Sequence, residues 1–164
     1  MKRILIPTLL GALALGPAAS PIALGDDHVE VIDQATQVEM SPDEALQRLI
    51  DGNARFVAGE STERDLIAEQ KATAGGQYPF AVVLSCLDSR SAPEIVFDQG
   101  VGDIFVGRVA GNVVDTNLLG SFEFATAAAG SKLIVVLGHT ACGAVKGACD
   151  GVEVGNLTAL LDEI

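Results

Sequence analysis

The stretch PFAVVLSCLDSRSAPE, Pro79 to Glu94, sets the fold of this 164-residue chain. Phe80 to Cys86 is a short apolar run, and a polar turn carrying Asp88 and Arg90 follows it at once. An apolar run of this length without alternation is what a strand buried on both faces looks like. Two more follow, DIFVGRVA from Asp103 and KLIVVLGH from Lys132. Between them, APEIVFDQG and NLLGSFEFATAAAG read as crossover helices, the second capped by Thr116 or Asn117. Strands joined by right-handed crossovers run parallel, so the expected fold is α/β, a central, mainly parallel β-sheet flanked by helices. Its functional groups should gather at the carboxyl ends of the strands.

Working outward, Ser41, Pro42 and Glu44 spell a helix start with a capping box. Leu46, Leu49, Ile50, Phe56 and Val57 then recur at helical spacing, with Gly52 a candidate break. Residues 26–40 are polar and non-periodic, which predicts an extended arm or linker outside any core. Residues 1–25 begin MKR, pass through ILIPTLLGALALG and end in small residues, the layout of a signal peptide cut after Gly25, with a site nearer Ala19 as the alternative. The apolar part is too short, and too interrupted by Pro7 and Pro17, to span a bilayer. The expectation is a periplasmic or secreted protein, free of the membrane after cleavage, with one domain over residues 41–164.

Ten Lys and Arg face 22 Asp and Glu, a net charge of −12. Nucleic acid and anionic lipid need a basic face and are excluded as partners. Three cysteines cannot all pair within one chain, so at least one thiol has another use.

Parallel strands place Cys86 and His139 on one rim, with Cys142 close by at the start of a helix reading CGAVKGACDG. One imidazole and two thiolates are a ligand set that suits zinc, and three protein ligands leave a fourth tetrahedral position open, the pattern of a catalytic site. Cys149, seven residues past Cys142, would lie two helical turns away at about 10 Å. It reads as a free helix thiol, and His28 falls in the arm. Asp88 can either orient a water on the metal or bind as the fourth ligand. Pairing with Arg90 would keep its carboxylate ionised and off the metal. Two thiolates neutralise the divalent charge, so bound water should be less acidic than at a three-histidine site, where its pKa is about 7, and rate should rise with pH.

Cys86-Leu87-Asp88-Ser89-Arg90 together with GHTACGAV resembles the β-class carbonic anhydrases, from about the Ser41 helix to the chain end. That resemblance implies one zinc ion per chain on Cys86, His139 and Cys142, an Asp88–Arg90 catalytic dyad, and attack of zinc-bound hydroxide on carbon dioxide to give bicarbonate. It implies that Gln77 donates to bound substrate, and that Phe105 and Phe124 line the pocket, in some members across a dimer interface. It also implies a homodimer or higher even oligomer wrapped by N-terminal helices. Val83 stands where the bicarbonate-regulated subgroup carries tryptophan, so the plant-like subgroup is the nearer match and no such switch is expected, although Arg108 occupies a position where that subgroup also has arginine. Leu87 replaces a small polar residue, and further C-terminal helices and a strand of the family are expected beyond Ile164. Hydrolysis of carbonyl sulfide or carbon disulfide on the same site is the competing activity. An inactive zinc-binding scaffold is the competing role, and it would have no need of Asp88, Arg90 and Gln77.

Overall fold

The computed structural model describes residues 29–164, so residues 1–25, where a signal peptide is expected, and His28 lie outside the described residues. In chain order the elements are α1 (Gln34–Glu39), α2 (Pro42–Ala58), α3 (Leu66–Ala72), β1 (Ala81–Ser85), α4 (Pro93–Val96), β2 (Ile104–Arg108), α5 (Thr116–Glu123), β3 (Leu133–Leu137), α6 (Gly143–Cys149) and α7 (Gly155–Leu161). The three strands make one parallel sheet in the order β2-β1-β3. The first strand in sequence is therefore the central one. Ser85 is level with Arg108 on one side and Leu137 on the other, so the three strands end on a common rim.

All five residues of β1 are buried, as a strand covered on both faces requires. Ala81 and Val83 join Ile32, Ala45, Leu49, Phe80 and Ile104 in one core under α1 and α2. Val82 and Leu84 point the other way, against Phe122 and Ala125 of α5 and the turn after it. β3 alternates instead, with Ile134 and Val136 exposed on the α5 side.

The Ser41 capping box is present in full, Ser41 Oγ accepting from Glu44 N and the Glu44 carboxylate from Ser41 N. Gly52 does not break α2, which runs on to Ala58. A Cβ there would lie 1.8 Å from the Phe97 carbonyl oxygen, so the glycine serves the close approach of helix to loop. Of the expected arm, residues 26–40, the described part, 29–40, is docked and not extended from the core. Asp33 caps α1, Ile32 is in the core, and buried Gln37 donates to the carbonyls of Pro79 and Ala129 at 2.8 and 2.9 Å. Ile32, Met40 and one amide dock that segment, a signal too sparse for periodicity to register. The α5 cap is Asp115, whose carboxylate accepts from Leu118 N, so Thr116 is the first helical residue. α5 continues through a π-turn, Phe124–Ala128, before β3.

Asp98, at φ 48° beyond α4, ties α2 and the loop after it to the turn that follows α4. It accepts from Arg55 Nε at 2.5 Å and from Thr62 N and Oγ1. Burial pushes its pKa up, but Arg55 and Thr62 outweigh burial and hold it below the ordinary value. The Asp98 contribution to stability is therefore present above about pH 4 and lost as pH falls through the folded-state value. Asp98→Asn should cost about 3 kcal/mol at neutral pH and blunt the acid limb of stability, read by urea unfolding against pH.

Candidate metal centre

Cys86 is the first residue past β1, 5% exposed, and its sulfur sits at the centre of the rim. Burial pushes its thiol up, yet donation by Gly111, Asp88 and Leu87 amides and contact with the Cys142 thiol bring the net pKa below the ordinary value. Gly111 N lies 3.5 Å from Cys86 Sγ, in a turn that follows β2 and needs φ 73° at this glycine.

From the far side of the sheet come His139 and Cys142. Ala141, held at φ 54°, folds the chain between them so that Cys142 becomes the N-cap of α6. A side chain in that conformation stores strain of order 1 kcal/mol, which the ordered turn sustains. The ligand atoms of Cys86, His139 and Cys142 lie within 4.8 Å of one another, and this is the metal-competent cluster among the described residues.

Two observations test the fit to zinc. The sulfurs of Cys86 and Cys142 are 3.8 Å apart and unbonded. Two sulfurs each 2.3 Å from one tetrahedral metal would stand at about the same separation. His139 Nδ1 lies 3.0 Å from the Thr140 carbonyl, which makes it the protonated nitrogen, while Nε2 is buried with no partner. A buried ring nitrogen with a free lone pair is a ligand awaiting an electrophile. The residues fit zinc.

Asp88 stands beside this cluster but does not belong to it. Its Oδ1 accepts from Arg90 N at 2.9 Å and Nε at 3.0 Å, and its Oδ2 accepts from Nη2 at 2.6 Å. Of the four residues offered as metal ligands by the sequence, three converge and Asp88 is taken by Arg90. Hydrogen bonding from Arg90 holds the Asp88 carboxyl well below the usual carboxylate range. Its Oδ2 is 3.8 Å from His139 Nδ1, so an ionised acceptor lies against the ligand set.

The carbonic anhydrase family profile matches residues 81–164, which spans the sheet, both halves of the cluster and the Asp88–Arg90 pair. The chain belongs to the β-class carbonic anhydrases. It is 48% identical over 118 residues to carbonic anhydrase 2 of Mycobacterium tuberculosis, covering 71% of this chain and 57% of that one. The carbonic anhydrase of Mycolicibacterium smegmatis matches to the same extent. Among solved structures, a tetrameric β-carbonic anhydrase of Sordaria macrospora superposes with a TM-score of 0.53 at 31% identity, over 71% of this chain and 60% of that one. The β-carbonic anhydrase CafA of Aspergillus fumigatus gives 0.56 at 28% identity, over 71% and 57%. The chain thus spans little more than half the length of these curated relatives.

Three pocket positions suggested by the resemblance are not brought to the metal cluster of their own chain. Gln77 is exposed before β1, at the opposite end of the strand from Cys86, and the extended chain from Phe80 separates them by about 20 Å. Phe105 is level with Val82, about 13 Å along the strand from the rim. Phe124, 58% exposed, packs edge-on against Phe105 at 6.2 Å. Strand direction is the reason: Gln77 precedes the amino end of β1, Phe105 lies near the amino end of β2 with Phe124 packed on it, and the metal-competent cluster is at the carboxyl ends of the strands. Cys149 ends α6 as an exposed free thiol.

Sequence reasoning gave Asn112 no mention and noted Arg108 only for its match to the bicarbonate-regulated subgroup, and both residues shape the centre. Asn112 Nδ2 donates to the Leu137 carbonyl at 2.8 Å, linking the turn after β2 to the end of β3. Arg108 Nε donates to the Cys86 carbonyl at 3.0 Å, and Nη2 to that of Asp88. A lone arginine at the end of an apolar strand was the available signal.

Proposed function

We propose that this protein catalyses the reversible hydration of carbon dioxide to bicarbonate, using one zinc ion per chain held by Cys86, His139 and Cys142. The observation that carries the reading is the convergence of two thiols and an unpartnered imidazole nitrogen beside an aspartate kept ionised by Arg90. Bound zinc supplies the Lewis acid that makes water a nucleophile near neutral pH. The chain's own residues do the rest. Asp88, an acceptor only, takes a hydrogen bond from the attacking water and turns its lone pair toward carbon dioxide. Arg90 keeps that carboxylate charged and turned from the metal. His139 is the only histidine among the described residues and is taken by the metal in this reading, so none of those residues offers an imidazole to carry the proton away, and buffer is the proposed acceptor.

A homodimer or larger even oligomer is the working assembly in this reading. Leu46, Ile50 and Val57 form an exposed apolar stripe on α2, beside the stripe of Ala45 and Leu49 that covers the core, and Ile134 and Val136 are bare on β3. Helix faces apolar on two sides favour a second copy. The Sordaria macrospora relative is described as tetrameric. Gln77, Phe105 and Phe124, remote from their own metal cluster, would serve a neighbour's. Export to the periplasm or beyond is proposed from the MKR-plus-apolar opening of the sequence. Among the described residues no helix is long and apolar enough to cross a membrane.

The test is stopped-flow carbon dioxide hydration by the zinc-loaded chain, run beside carbonyl sulfide and carbon disulfide, with sedimentation of the same sample. Hydration that rises with pH and with buffer concentration is expected. A folded, zinc-loaded oligomer that turns over only the sulfur substrates, or none of the three, would sink the reading.

A further inference from the structure

Past Ser85 the β1 backbone leaves the sheet, and the last ladder bond to β2 is Val109 N to the Ser85 carbonyl. Cys86 and Asp88 then present carbonyl groups with no strand beside them. Arg108, the final residue of β2, answers both, Nε donating to Cys86 O at 3.0 Å and Nη2 to Asp88 O at 2.5 Å. These two nitrogens form one edge of a planar guanidinium, so a single rigid group fixes the relative placement of two carbonyls two residues apart. The Asp88 carbonyl otherwise accepts only from Ser91, within the same loop, and Leu87 between the two is exposed. Arg108 is therefore the group that fastens this loop to the sheet.

The geometry points to Arg108 as a positioning residue that acts through the main chain to hold Cys86 on the metal and the Asp88 side chain off it. Arg90 cannot do this alone, because it lies in the same loop as Asp88 and is exposed along most of its length. The pair Asp88–Arg90 is rigid within itself, and Arg108 decides where that pair stands relative to the cluster. Loosened from the sheet, the loop lets the Asp88 carboxylate, already 3.8 Å from the His139 ring, swing onto the metal and take the open position. The inference rests on the Cys86–His139–Cys142 metal reading and not on which substrate the site hydrates.

Cobalt(II) replaces zinc as a visible probe, and azide reports whether the fourth position is open. The wild-type chain should take up cobalt and change its absorption on azide addition. Arg108→Gln should bind cobalt 10- to 100-fold more weakly, the usual scale for losing an outer partner of a ligand, and its azide response should vanish. Adding Asp88→Asn to Arg108→Gln should restore the azide response, which a general loss of folding would not do. Arg108→Lys, with one compact donor group in place of the fork, should fall between. Wild-type affinity and azide response in Arg108→Gln would overturn the inference, and so would a lost response that Asp88→Asn fails to restore. A wild-type chain that takes up no cobalt would overturn the metal reading and this inference with it.

Discussion

Cys86→Ser should leave a chain with almost no zinc and with hydration activity reduced by ~10³-fold or more, the equivalent of losing about 4 kcal/mol of transition-state stabilisation. The substitution changes one atom and barely alters the packing of a residue that is 5% exposed. What changes is the ligand. A serine hydroxyl stays protonated and is a hard donor, whereas the Cys86 thiol already leans toward the thiolate through Gly111, Asp88 and Leu87 amides. Cys142 and His139 then remain as two ligands from one turn, too few for a stable site. Because metal is bound by the folded state, removing it should also lower the unfolding temperature, and chelator treatment of the wild type should reproduce that shift. Zinc content, stopped-flow rate and thermal unfolding read the three consequences. A Cys86→Ser chain with a full complement of zinc would show that the sulfur is a buried core thiol and nothing more.

The second large effect separates chemistry from metal binding. Asp88→Asn should retain zinc and lose 10²- to 10⁴-fold in turnover, the usual range for a positioned acid or base. Both carboxylate oxygens are engaged by Arg90, at 2.6 to 3.0 Å. An amide offers one acceptor and turns a donor toward the guanidinium, so the clamp opens and Arg90, 77% exposed, is released to solvent. The carboxyl is held far below its ordinary range, so protonation removes the clamp only in strong acid. Between about pH 5 and 9 Asp88 does not change charge, and the slope of rate with pH in that window reports another group. The Asp88→Asn enzyme should keep the wild-type slope at a lower level. Full turnover in this variant would reduce the Asp88–Arg90 pair to a loop salt bridge.

The sheet and the convergence of Cys86, His139 and Cys142 were legible because their signals are local. An unbroken apolar run reads as a strand, and a cysteine or histidine at its end inherits a place on the rim. The Ser41 capping box was legible for the same reason. Docking of residues 29–40 was not, since it rests on Ile32 and Met40 and on an amide reaching two distant carbonyls. Gly52 looked like a break because its role depends on Phe97, which approaches from another element. Gln77, Phe105 and Phe124 were named by resemblance, and their distance from the cluster of their own chain follows from a strand register that the sequence does not display. Arg108 and Asn112 act on carbonyl groups, and no sequence pattern announces which carbonyls a fold will leave unpaired.

The strand that is made first lies in the middle, and its cysteine waits 56 residues for Cys142. During synthesis or refolding, therefore, the Cys86–His139–Cys142 set comes into being only when β3 has found its place beside β1. On the zinc reading, metal capture is an event that follows the pairing of β3 with β1, and the ion then closes a long loop whose ends would otherwise drift apart. Withholding zinc should leave β1 and β2 paired and protected while β3 and α6 exchange their amide protons early.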